Sequence, residues 1–142
     1  MPYATTQDLI DRFGEEELIA LADRNNDGAY DLAVVERALA DADALIDSYI
    51  GTRYDLPLTT TPEVLKGKAA DLARYTLYKD APTETVTENQ KTAVRWLELV
   101  AAGKASLPLP SGADPAPSTA MATFVEISAA APVFTQDALK DF

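Results

Sequence analysis

The chain has 142 residues, 47% of them hydrophobic, which suits one domain with a real core. Its 23 acidic residues outnumber 12 basic ones, a net charge of −11, and a surface of that sign repels a phosphate backbone, which disfavours gripping of nucleic acid. The absence of both Cys and His removes disulfides, thiolate and imidazole metal sites and the commonest general base, and so points away from an enzyme. The acidity belongs to the first part of the chain: residues 1–55 hold 13 Asp/Glu and 4 Lys/Arg, residues 56–142 hold 10 and 8. The opening MPYATTQ has no basic n-region or apolar h-region, and no ~18 apolar residues run together, so neither a signal peptide nor a membrane span is expected; the expectation is a soluble intracellular protein.

In chain order, Thr5 or Thr6 can cap a short helix carrying Leu9, Ile10 and Phe13, which Gly14 ends by taking the left-handed conformation cheaply. Glu15, Glu16 and Glu17 open a second short helix at its positive end, with Leu18, Ile19 and Leu21 on its buried side. Asp23-Arg-Asn-Asn-Asp27-Gly28-Ala-Tyr-Asp31 matches the first half of a calcium loop, but the twelfth position, where a bidentate Glu belongs, is Val34. The preferred reading is a structural turn in which Gly28 has positive φ and Asp31 caps the next helix.

That helix, over Asp31 to Arg53, is the longest amphipathic element and organises the rest. Val35, Ala38, Leu39, Ala42, Leu45, Ile46, Tyr49 and Ile50 form its apolar stripe, while Glu36, Asp43 and Asp47 lie on another face. After a loop through Pro57, Thr61 is expected to cap a helix with Pro62 at its first position and a stripe of Leu65, Ala69, Leu72 and Ala73. Lys66, Lys68, Arg74 and Lys79 make it the most basic element, able to face the acidic side of the long helix in its own chain or a neighbour's, or simply water. Thr85-x-x-Glu88 reads as a capping box opening the last helix, whose stripe is Val86, Ala93, Val94, Leu97 and Val100, with Trp96 and Leu99 to one side and Gly103 as the stop.

From Lys104 the composition changes, and five of the nine prolines fall in the last 39 residues. The expectation is therefore a mainly α fold, a small helical bundle of four to five helices over 1–103, with an extended C-terminal arm over 104–142. Met121 to Ser128 alternates enough to make one short β-strand possible there. Val133, Phe134, Leu139 and Phe142 near the arm's end are candidate anchors into a partner. Extended at ~3.3 Å per residue the arm reaches on the order of 130 Å.

Tyr3-Ala-Thr, Asp8-Leu-Ile-Asp-Arg-Phe-Gly14, Asp23-Arg-Asn-Asn-Asp-Gly28, Ile46-Asp-Ser-Tyr49, Arg53-Tyr-Asp-Leu-Pro-Leu58, Ala70-Asp-Leu-Ala-Arg-Tyr75, Arg95-Trp-Leu97 and the ending Val133 to Phe142, taken as an ordered set, resemble the Mu-like phage head-to-tail adaptor proteins. Residues 108–120 depart most from that pattern. The resemblance implies a structural protein of the virion neck, forming a ring of twelve copies between the portal protein and the next neck or tail-completion protein. On the residues alone, no cofactor, no metal and no membrane are expected. Val133, Phe134, Leu139 and Phe142 would bind the portal or a neighbouring subunit. A ring of twelve would carry roughly −130, and Glu36, Asp43 and Asp47 facing the channel would let genomic DNA pass without sequence-specific binding. The competing readings are a calcium-responsive interaction module built on Asp23 to Asp31, and an enzyme using paired carboxylates such as Asp43 and Asp47. The latter is the weaker, because carboxylates four residues apart recur on any solvated helix.

Overall fold

The computed structural model describes residues 2–110. Five helices follow one another: α1 (Thr6–Phe13), α2 (Glu15–Ala22), α3 (Leu32–Ile50), α4 (Glu63–Tyr78) and α5 (Glu84–Ala101). Among the described residues there is no strand; the strand expected over 121–128 lies outside them. Local chemistry sets most of the starts. Thr5 and Asp8 form a reciprocal capping box, in which the Asp8 N–H donates to Thr5 Oγ1 and the Thr5 N–H donates to the Asp8 carboxylate at 2.8 Å. Gly14, at φ 92, ends α1 and begins α2.

Two caps differ from expectation. The cap of α4 is Pro62 itself, with extended ψ of 144, so Glu63 and not Pro62 is the first helical residue; with no side-chain oxygen at the cap, Glu63 supplies the negative charge that the helix start favours. α5 is capped by Thr83, whose Oγ1 accepts from the Val86 N–H at 3.3 Å, and the Thr85/Glu88 box does not form. Capping two residues earlier adds helical residues, and the Thr87 hydroxyl donates to the Thr83 carbonyl at 3.0 Å.

The core is a three-helix layer of α3, α4 and α5 packed pairwise, with α1 and α2 laid against α3 and α4. Val35, Ala38, Leu39, Ala42, Ile46 and Ile50 of α3 meet Leu65, Ala69, Ala70, Leu72, Ala73 and Leu77 of α4, and Val86, Ala93, Leu97 and Val100 close the third side. The alanines in these faces let the helix axes approach closely while the leucines and isoleucines fill the gaps between them. Leu45, expected in the buried stripe, is 37% exposed, whereas Ile46 is fully buried. At 100° per residue, Leu45 falls a full step round the helix from Ile46 and beyond the edge of the buried face.

The packed core runs past Gly103. The chain turns back after α5 and Leu107 is 1% exposed, with Ala105 and Leu109 packed against the same cluster. Arg53 Nη1 donates to the carbonyls of Val100 at 3.0 Å and Ala105 at 3.3 Å, and the Leu107 N–H donates to the Tyr54 hydroxyl at 3.0 Å. The C-terminal segment is thus rooted at the end of α3, beyond the boundary at 103 that composition suggests.

Candidate assembly surfaces

The Asp23 to Asp31 turn is built by its own carboxylates. Asp23 accepts from the N–H groups of Asp27 at 3.2 Å and Gly28 at 3.0 Å, Asp27 accepts from Ala29, and Asp31 caps α3 by accepting from Ala33. Gly28 has φ 83, as a turn of this shape requires. The carboxylates act as backbone acceptors, and among the described residues no three acidic side chains gather to hold a metal ion. A Cβ at Gly28 meets no neighbour within 4 Å, so Gly28→Ala carries only the backbone penalty. A loss of about 1–2 kcal/mol in urea unfolding is expected, with calcium leaving both proteins' midpoints unmoved.

The three acidic residues predicted to share a face of α3 do so unequally. Glu36 is exposed, but Asp43 and Asp47 hold the N-terminal segment: the Tyr3 N–H donates to Asp43 Oδ1 at 3.0 Å, and the Tyr3 hydroxyl donates to Asp47 Oδ1. Tyr3 and Ala4 are buried by this clasp, and a shallow depression lined by Thr5, Glu36, Ala40 and Asp43 runs beside it. Burial, then the bond to Asp47, raise the Tyr3 phenol well above its ordinary range. Loss of water raises the Asp43 carboxyl, the Tyr3 N–H opposes that rise, and the charge of Asp47 adds to it. The native state therefore binds this proton more tightly than the unfolded chain does, so Asp43's contribution to stability falls as pH rises from the ordinary carboxylate value through the raised one. Asp43→Asn keeps an acceptor for Tyr3 and removes the desolvated charge. It is expected to melt no lower than wild type at pH 7, and the two midpoints should converge below about pH 4, where Asp43 itself is protonated.

Arg74 and Lys66 of α4 do not turn to the acidic side of α3, whereas Lys79, just past the helix, lies in a groove beside α3. Arg74 reaches α2, where its Nε and Nη2 donate to Glu17 Oε1 at 2.9 and 2.7 Å and the Tyr78 hydroxyl donates to the same oxygen at 2.8 Å. The guanidinium lies 4.3 Å from the centre of the Phe13 ring, so one half-buried cation binds α1, α2 and α4 together. Lys66 pairs with Glu63 within its own helix, and Arg12 of α1 reaches the same Glu63 at 3.3 Å. Nothing in the sequence singles out this node beyond the spacing of Arg74 and Tyr78, four apart on one helix, which share a face that a carboxylate can serve.

On α5, Trp96 packs partly buried against the core, while Leu99 is 38% exposed on the far side of the flank. Leu32, Leu45 and Leu56 are the other large apolar side chains facing out among the described residues. The anchors Val133, Phe134, Leu139 and Phe142 lie outside the described residues. No helix among the described residues is long and apolar enough to cross a membrane.

Residues 3–126 match the family described as Bacteriophage Mu, Gp36. "Gene product J" of Escherichia phage Mu is 44% identical over 105 residues, covering 73% of this chain and 74% of that protein. The Mu-like prophage FluMu protein gp36 of Haemophilus influenzae (strain Rd) is 40% identical over 107 residues, covering 75% and 76%. The matched span takes in all five helices, the clasp at Tyr3, the Asp23 to Asp31 turn and the root of the C-terminal segment, and the chain accordingly belongs to the phage Mu Gp36 family.

Proposed function

We propose that the protein is a structural component of the phage neck, a ring-forming head-to-tail adaptor that docks on the portal protein and continues the DNA channel toward the next neck or tail-completion protein. The observation that carries the reading is membership of a phage Mu family across the helical core and into the C-terminal segment. The chemistry agrees with it. Carboxylates such as Asp23, Asp43 and Glu17 are spent on turns, clasps and ion pairs, which builds a rigid block rather than a reactive site, and the protein is read as non-catalytic. The net charge of −11 per chain suits a channel wall along which DNA slides without sequence-specific binding. Glu36, exposed on α3, is the residue best placed to supply that charge, with Asp43 and Asp47 behind it. No cofactor and no membrane is involved.

Copy-number mass measurement on purified virions tests this directly. About twelve copies per portal ring are expected, with a ring at the head-to-tail junction in images of portal mixed with the full-length protein. Virions that infect and lack the chain would sink the reading.

A further inference from the structure

Where α3, the end of α4 and the Asp23 turn meet, a groove concentrates positive charge in a strongly acidic chain. Its floor is apolar, Val34, Ala38 and Leu77, and its rim carries Arg24, Arg37 and Lys79 against the single carboxylate of Asp41. Arg12, Lys66, Arg74 and Lys91 are ion-paired elsewhere, yet among the described residues the three rim cations pair with none. Lys79 also sits at the helix C-cap with φ 50, a conformation that glycine adopts far more cheaply than lysine. A ligand that complements this groove has apolar side chains for the floor and carboxylates for the rim.

The sequence outside the described residues contains such a ligand. Residues 133–142, VFTQDALKDF, interleave Val133, Phe134, Leu139 and Phe142 with Asp137 and Asp141 against the single Lys140. We propose that the groove receives this segment from a second copy of the chain, so that in a ring each copy gives one segment and receives one. The inference rests on the ring reading and specifies what the C-terminal segment grips. The chain leaves the described residues at Pro110, near the C-terminal end of α3 where Tyr54 holds Leu107, whereas the groove lies along the N-terminal half of that helix. The residues from 110 to 133 span up to ~75 Å when extended, far beyond the ~28 Å of a 19-residue helix, which is ample to reach a neighbour. A head-to-tail contact of this kind uses two different patches on each copy and closes when the rotation between copies permits.

The chain has no cysteine, so a designed pair reports cleanly. Full-length protein carrying Arg37→Cys and Leu139→Cys, concentrated or assembled in phage particles and mildly oxidised, is expected to give a ladder of disulfide-linked multimers. A control pairing Leu139→Cys with Thr92→Cys on the exposed face of α5 should give several-fold less. A monomer closed on itself, or a ladder no stronger than the control, overturns the proposal. Lys79→Gly separates binding from folding: it should raise the melting midpoint while reducing the cross-linked ladder several-fold. Asp137→Lys with Asp141→Lys should also reduce the ladder, and adding Arg37→Glu, with the cysteine moved to the exposed groove residue Thr76, should restore it. Particles that contain the protein at full copy number without any groove cross-link would refute the groove and leave the adaptor reading standing, whereas absence from particles would refute the latter.

Discussion

Ile46→Ala is expected to lower stability by about 2–5 kcal/mol, because it strips atoms from a fully buried side chain and leaves a cavity that α4 and α5 can fill only in part. Leu65→Ala and Leu97→Ala should fall in the same range, since both are fully buried at the junction of the three long helices. Leu45→Ala, one residue away, should cost less, about 1–2 kcal/mol, because a side chain 37% exposed surrenders only part of a leucine's burial and opens no enclosed cavity. Urea midpoints of the four proteins check the ordering. Equal losses at 45 and 46 would mean that the buried face of α3 is centred between them, a rotation of about 50°.

The contrast between these neighbours shows what the sequence makes legible. A three-and-four spacing identifies the buried face of α3, yet Leu45 and Ile46 are chemically alike, and only the width of the groove between α4 and α5 decides which lies inside. Some caps and turns are legible because they are local: Thr5, Gly14, Gly28 and Asp31 all act within a few residues of themselves. The starts of α4 and α5 are not, because neighbouring residues compete for one cap and Pro62 and Thr83 take it in place of Thr61 and Thr85. The surface chemistry was less readable. Glu36, Asp43 and Asp47 look equivalent on a helical wheel, but Tyr3, some forty residues away, takes the last two as hydrogen-bond acceptors and leaves Glu36 exposed. Arg74 is likewise indistinguishable in sequence from the other cations of α4 until Glu17 and Phe13 are brought to it. The change in composition at Lys104 hid the burial of Leu107, because the partners that make it core, Arg53 and Tyr54, belong to the turn after α3, some fifty residues earlier.

That burial decides where the C-terminal segment can be removed. Ending the chain after Gly103 takes away Leu107, whose full burial is worth about 1.5–3 kcal/mol, together with the bonds that its N–H makes to Tyr54 and that Ala105 accepts from Arg53. A loss of about 2–4 kcal/mol is expected for that truncation, and failed assembly by so weakened a core would say nothing about the anchors. Ending the chain after Pro110 keeps all of these contacts, so its helicity and urea midpoint should match the full chain within about 0.5 kcal/mol. The same protein lacks Val133, Phe134, Leu139 and Phe142, and under the adaptor reading it should fail to join portal rings and should yield no complete virions. In the full-length chain, Phe134→Ala with Phe142→Ala should weaken attachment by about 2–4 kcal/mol, since a few buried aromatic side chains carry most of the energy of such a contact. A chain ending at Pro110 that still binds portals and completes virions would show that the assembly surface lies on the helical core, and attention would pass to Leu32, Leu56 and Leu99, where apolar side chains already face outward.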